Sequence, residues 1–385
     1  MKNLLILILL FSIIEAWMVP DFPKVYTLVS ASENREIKIS DIFKLQGFTL
    51  LQTTSEILST REVRKYLFIP DGSIIALDNN SDGQNIWRFD QTGKFLNKIG
   101  FQGRYGNNAF NGLNNIAYDA KNQEVVCLAA GKQAFMRFGL DGLYKSSASN
   151  GVYGDDLIVG SNQQYPYLVY NEYNPSEVSG NYNLLFYNEK GDLLERAAPY
   201  DPRKNGSGYE MSGFIQQSNN QTWFSKPFCD TVFNLKGAKP IPAYVLNFGD
   251  VKPKLDTKSE MIKQLPNLQA YLGRSFVKFD NYALFDFVMD QRLQIGMLDE
   301  NSDKIFRLRE TDPNDKLYPL LRIGYIYPKD NHSFAFVIPP GSVQYLITSN
   351  QLDFKYFQDN YPELANVLSN YKDGIEPLIL YFEVK

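Results

Sequence analysis

Four segments of the chain share an aromatic residue, three further positions and a glycine: Phe89–Gly93, Phe138–Gly142, Tyr187–Gly191 and Phe233–Gly237. The glycines lie 49, 49 and 46 residues apart, so the pattern is an internal repeat. In each copy an apolar run stops at the aromatic, a polar residue opens a tight turn, and glycine supplies positive φ before a second run begins. Each copy therefore predicts a β-hairpin. A weaker fifth copy runs from Leu298 to Ser302, with serine in the glycine place. Upstream of the hairpins, polar turns precede further apolar runs: Asp71-Gly72 before Ser73–Leu77, Lys121-Asn122 before Val125–Leu128, Asn219-Asn220 before Thr222–Phe224, Asp280-Asn281 before Ala283–Phe285, and Asp330-Asn331 before Phe334–Ile338.

Several short strands in every repeat of about 40 to 50 residues are the signature of propeller blades. The expected fold is all-β, a six-bladed β-propeller of four-stranded antiparallel blades at 62–99, 113–146, 155–197, 211–249, 273–310 and 321–350. Open sheets in a ring must close, and terminal strands are the means. Ile37–Ile42 with Phe48–Leu51 at one end, and Pro377–Lys385 at the other, are the expected closing strands. Two stretches leave the β pattern for helical spacing: Asp256–Leu272 (Met261, Ile262, Leu265, Leu268, Leu272) and Tyr356–Tyr371 (Leu364, Val367, Leu368). Both are expected as short helical insertions with a packing or lid role.

Lys2 followed by the apolar run Leu4–Ile14, broken only by Ser12, reads as an export signal. The run is too short for a membrane span, which needs about 20 residues. Residues 1–31 are taken as a signal or signal-like segment, with Ala16 or Val29-Ser30-Ala31 at its end or the segment kept as an anchor, and residues 37–385 as the propeller. No cysteine precedes Cys127, so a lipobox is absent, and a periplasmic or secreted location is expected. Cys127 and Cys229 fall in non-adjacent blades, too far apart to bridge, and are expected as free thiols.

The 39 basic and 43 acidic residues give a net charge of −4, which provides no field for nucleic acid. Hydrophobic residues at 44% and charged residues at 21% describe an ordered globular chain. Its 27 Phe, 25 Tyr and 3 Trp fit blade hairpins that pack between sheets. A single histidine, His332, removes multi-histidine zinc sites and paired histidine catalysis, and it falls in a polar turn. No nucleophile elbow, phosphate-binding loop or Cys-x-x-Cys pair occurs.

Ile39–Ile42, Trp87–Gly100, Cys229–Phe233, Ile305–Leu308 and Glu376–Leu380 together resemble the six-bladed β-propeller family of exported Bacteroidota proteins, distant relatives of NHL-repeat propellers. The resemblance covers Ile37 to the end and implies fold and export but no reaction. Two features depart from the family: the lipobox is missing, and the usual Pro-Gly-Glu ending of the glycine-rich loop reads Asn107-Asn108-Ala109.

In propellers the connections between blades frame the central channel and carry function more often than strands do. Phe101–Asn108 is such a connection, and Gln102, Arg104, Tyr105 and Asn107 offer donors and stacking surface for a polar or sugar-like ligand; otherwise its glycines only shape a turn. The next connection brings Tyr153 with Asp155 and Asp156, which could hold Ca²⁺ if three or more further oxygens converge. The expected function is a non-catalytic binding or interaction propeller of the cell envelope, without a required cofactor, its partner a small molecule, glycan or envelope protein. The alternative is a metal-dependent hydrolase or lactonase with carboxylate and amide ligands in the channel.

Overall fold

A computed structural model gives the structure, described for residues 23–53, 63–80, 83–103, 109–160, 165–171, 176–201, 213–226, 229–248, 270–289, 292–322, 324–349, 351–371 and 376–385. Strands are numbered in chain order. The first two are β1 (Lys24–Leu28) and β2 (Phe43–Leu50). A first sheet follows from β3 (Val63–Phe68), β4 (Ile74–Asn80), β5 (Gly83–Phe89) and β6 (Phe95–Gln102), with the two-residue β7 (Ala109–Phe110) parallel at its edge. A second sheet holds β8 (Leu113–Asp119), β9 (Glu124–Ala129), β10 (Ala134–Gly139) and β11 (Tyr144–Ser149). A third holds β12 (Asp156–Val159), β13 (Tyr167–Tyr170), β14 (Tyr182–Tyr187) and β15 (Leu193–Pro199).

Two further antiparallel sets come next, β16 (Phe214–Ser218), β17 (Gln221–Ser225), β18 (Thr231–Lys236) and β19 (Lys239–Asn247), then β20 (Ala270–Phe279), β21 (Tyr282–Met289), β22 (Arg292–Asp299) and β23 (Lys304–Arg307). Strand β1 lies between β19 and β23, parallel to both, and fuses the two sets into one nine-stranded sheet. The last sheet has the order β2-β26-β25-β24, from β24 (Tyr325–Pro328), β25 (Ser333–Ile338), β26 (Leu378–Val384) and the N-terminal β2. The chain is thus closed by pairing strands from its two ends, Phe43 opposite Val384 through Leu50 opposite Leu378.

The first strands of successive sets touch in a closed cycle: β3 with β8, β8 with β12, β12 with β16, β16 with β20, β20 with β24, and β24 with β3. This cycle of small antiparallel sheets is a β-propeller arrangement. The core is divided into layers between neighbouring sheets. Ile75, Leu77 and Ile86 pack with Ile116, Cys127 and Phe138 in one layer, and Leu128 and Phe135 with Val169 and Tyr187 in the next. Buried aromatics of the repeat, Phe89, Phe138 and Tyr187, belong to these layers.

Several expectations change. Ile39–Ile42 forms a short helix, not a strand, and Phe43 opens the closing strand four residues farther on than Ile39. The expected helix at Asp256–Leu272 lies outside the described residues up to 269, and residues 270–272 open β20. The Tyr356–Tyr371 helix is two helices, Phe354–Asn360 and Pro362–Asn370, because Pro362 lacks the N–H that would continue the first and starts the second instead. A further helix at Pro340–Thr348, again begun by proline, occupies what the expected blade 321–350 treated as strand. All three helices intervene between β25 and β26 and bury Val343, Leu346, Phe357, Leu364 and Leu368 in one cluster.

The segment 1–31 expected as a signal contains β1. Tyr26 is fully buried, with its ring 5.7 Å from that of Tyr244. Asn34, also fully buried, continues the pairing by donating from Nδ2 to the Arg307 carbonyl at 2.7 Å and accepting from the Arg307 N–H at 2.7 Å. Lys24–Asn34 is therefore an integral part of the nine-stranded sheet. Cys127 and Cys229 are both free, Cys127 buried with its thiol pKa pushed up by burial.

Candidate functional site

The first strand of each set is the inner one, and three of these strands carry an irregularity near the end where they begin. In β3, Val63 faces Asp78 and Lys65 faces Leu77, which leaves Arg64 outside the ladder. In β8, Leu113 faces Ala129 and Asn115 faces Leu128, which leaves Asn114. In β20, Leu272 faces Phe287 and Phe276 faces Phe285, so Gly273, Arg274 and Ser275 together oppose Asp286. Counted along the second strand of each sheet, all three bulges fall at its fourth to sixth residue. They occupy one level of the molecule, and bulges redirect the side chains they carry.

Two of the bulges are backed by carboxylates at the same strand position, Asp78 as the fifth residue of β4 and Asp286 as the fifth of β21. Asp78 is fully buried and accepts from Asn85 N–H at 2.9 Å and from Trp87 Nε1 at 2.7 Å. Asp286 accepts from the Ser275 N–H at 2.5 Å and the Ser275 hydroxyl at 2.9 Å, so it holds the backbone freed by the bulge. Burial raises both carboxyls above the ordinary aspartate range, since taking a charge out of water is costly and the hydrogen bonds offset that only in part.

Arg64 and Arg274 are exposed and meet no carboxylate among the described residues, whereas Arg88 and Arg307 each pair with one and Arg137 with two. Arg64 Nη1 donates to the Leu113 carbonyl at 3.3 Å. Between β20 and β3 in the cycle stands β24, whose first residue Tyr325 is 54% exposed and faces Val337, the fifth residue of β25. Arg274, Tyr325 and Arg64 thus sit at one level on three consecutive inner strands.

On the following strands the polarity reverses. Lys65 Nζ reaches Asp156 Oδ1 of β12 at 2.9 Å, across the position of β8, with both side chains about one-fifth exposed (21% and 23%). Asn114 Nδ2 donates to the carbonyls of Tyr153 and Gly154, at 2.9 and 2.5 Å, and ties the 150–155 connection to the bulge of β8. Amide side chains also join neighbouring sheets: Gln84 of β5 exchanges bonds with both backbone groups of Leu113, and between inner strands Gln217 donates to Val159 O and Gln216 accepts from Phe276 N–H.

Of the residues singled out from sequence, Gln102 is exposed at the end of β6 and accepts from Gln84 N–H at 3.0 Å. Tyr153 is 55% exposed on the same rim. Arg104, Tyr105 and Asn107 lie outside the described residues. Asp155 donates its N–H to Tyr170 O, and Asp156 is engaged by Lys65. Among the described residues no three His, Cys, Asp or Glu side chains gather at metal-ligand distance. His332 sits at the opposite end, in the turn before β25, with Nδ1 2.8 Å from Asp280 Oδ1 of the neighbouring turn.

Sequence reasoning missed Arg64, Lys65, Asn114, Arg274 and Tyr325. A signal was present. Asp78 ends the apolar run Ile74–Leu77 as Asp286 ends Tyr282–Phe285, and each is preceded upstream by an arginine two residues before an aromatic, Arg64 before Tyr66 and Arg274 before Phe276.

A family profile described as a domain of unknown function, DUF4934, matches residues 23–383. Among solved structures, the chain is similar to a candidate exported protein of Bacteroides fragilis, with 15% identity, TM-score 0.74, and coverage of 94% of this chain and 100% of that one. It is also similar to a member of the DUF4221 family of Bacteroides vulgatus, with 10% identity, TM-score 0.55, and coverage of 90% and 99%. No curated protein matches. At these identities the likeness concerns the fold alone. Among the described residues no helix is long and apolar enough to cross a membrane.

Proposed function

The chain belongs to the DUF4934 family, and from that premise we propose that it is a single six-bladed β-propeller acting as an exported, non-catalytic binding protein of the cell envelope. The cyclic contact of β3, β8, β12, β16, β20 and β24 supports the blade count, with β1 read as a strand added between the fourth and fifth blades. The observation that carries the binding reading is the alignment of three inner-strand bulges, which free Arg64, Asn114 and Arg274 at one end of the ring. Bulges interrupt the ladder, and two of these are backed by aspartates at partly or fully buried positions; such features concentrate at functional rims because pairing alone gains nothing from them. A carbohydrate-like ligand suits the mixture of exposed tyrosine, amide and guanidinium on that rim.

Export rests on the N-terminal apolar run. We place the end of any cleaved signal upstream of Lys24, because cleavage after Ala31 would remove β1 and the buried Tyr26 with it. The hydrolase alternative needs several free carboxylate or amide oxygens around one point, and Asp156 is already held by Lys65. Binding of the purified protein to a defined oligosaccharide array tests the reading. Tyr325→Ala on the rim lowers the signal and Leu143→Ala, an exposed residue at the hairpin end, leaves it unchanged. The reverse pattern, or no bound oligosaccharide, overturns it.

A further inference from the structure

We infer that the rim takes an acidic saccharide, its ring on Tyr325 and its anionic groups on Arg64 and Arg274. This rests on the reading above that the rim is the binding site, and it names the ligand chemistry. Arg64 and Arg274 stand at one register level on β3 and β20, on either side of β24, with Arg64 Nη1 on the Leu113 carbonyl of β8, and Tyr325 opens β24 at that level. Both arginines are exposed and neither has a carboxylate partner among the described residues, although the protein is acidic overall and Arg88, Arg137 and Arg307 are neutralised.

The acids closest to Arg64 and Arg274 in the ladder have their oxygens engaged by hydrogen-bond donors, and Asp286 lies against the backbone of Arg274 itself. Asp78 accepts from Trp87 and Asn85, and Asp286 from Ser275. The opposite side of the rim carries Asp155 and Asp156, and Lys65 is bound to Asp156, whereas Arg274 and Arg64 meet no carboxylate among the described residues. A planar guanidinium recognises carboxylate or sulfate through paired N–H donors, and an exposed phenol ring offers a flat face to a sugar ring. A neutral glycan would use the tyrosine but leave both arginines unmatched.

Titration calorimetry with trigalacturonate and a sulfated disaccharide, against neutral galactotriose, tests the inference at two salt concentrations. The expected result is binding of an acidic probe that weakens as salt rises, a loss of about tenfold or more for Arg64→Ala and for Arg274→Ala, and partial recovery with Arg64→Lys and Arg274→Lys. The carboxylated and sulfated arms distinguish the two sources of anionic group. Equal binding of galactotriose, lost in Tyr325→Ala but kept in both arginine variants, overturns the acidic ligand while leaving the rim as the site. Acidic binding that survives every rim substitution overturns the rim itself, and no binding of any acidic probe overturns this inference.

Discussion

The repeated glycine of the hairpins does more than turn the chain. At Gly142 φ is +83°, and a Cβ built there would stand 2.5 Å from the carbonyl oxygen of Lys98, on the last strand of the preceding sheet. Gly93 and Gly191 repeat the arrangement, with a Cβ 2.2 Å from Leu50 O and 2.2 Å from Ser149 O, each again on the last strand of the preceding sheet in the ring. At Gly237 the turn is also left-handed, at φ +64°, but nothing lies within 4 Å. Alanine at Gly237 therefore meets only the left-handed penalty, about 1–2 kcal/mol. Alanine at Gly142 or Gly191 meets that penalty plus overpacking against backbone, which adds about 1–3 kcal/mol, for a total of roughly 2–5 kcal/mol. Urea unfolding followed by tryptophan fluorescence reads the difference. With a slope of about 3 kcal/mol/M, a loss of about 3 kcal/mol lowers the midpoint by roughly 1 M. The reasoning fails if Gly237→Ala costs as much as Gly142→Ala and Gly191→Ala, or if those two shift the midpoint no more than an ordinary surface substitution.

Two further substitutions probe the anchoring of the N-terminal segment on β23 and the buried carboxylate. Asn34→Ala leaves both backbone groups of Arg307 without their side-chain partner, so stability falls by about 2 kcal/mol or more and the Arg307 amide exchanges faster with solvent; unchanged exchange at that amide would show that the N-terminal segment does not clasp β23. Burial raises the Asp78 carboxyl in the folded protein, so its contribution to stability is fully present below the unfolded value of about 3.9 and is lost as pH rises through the folded value. Asp78→Asn removes that dependence while leaving either Asn85 N–H or Trp87 Nε1–H facing an amide NH₂. The variant is less stable by about 1–3 kcal/mol at low pH, and the gap to the native protein narrows as pH rises from 4 to 7; a gap that widens with pH would contradict a raised carboxyl.

Much of the architecture was legible in the chain because hairpins are local. Phe89–Gly93, Phe138–Gly142 and Tyr187–Gly191 fall in the turns they predict, where the opening Asp90 and Asn188, and Asp141 within its turn, accept backbone N–H groups two residues on. The helical insertions were read less well. Leucine spacing finds a helix but misses the one that Pro340 opens and the break that Pro362 makes between Phe354–Asn360 and Pro362–Asn370. Lys2, the apolar run Leu4–Ile14 and the small residues at Val29-Ser30-Ala31 extend the leader reading over β1, whose partners, β19 and β23, lie more than two hundred residues away.

For the rim the division is sharper. Gln102, Tyr153 and the Asp155-Asp156 pair were found because loops between repeats announce themselves by glycine and polar composition. Arg64, Asn114 and Arg274 were not, since a bulge is a relation between two strands and only pairing shows that one residue has no opposite number. The sequence by itself determined the repeat, its hairpins and the closure by both chain ends, all of which follow from side-chain periodicity and turn chemistry within a few residues. The tertiary structure alone decided that the hairpin glycines yield space to the preceding sheet, that β1 joins two sheets, and that two arginines and a tyrosine from distant repeats share one level. Those outcomes depend on which strands meet across the ring, and local pattern does not record that.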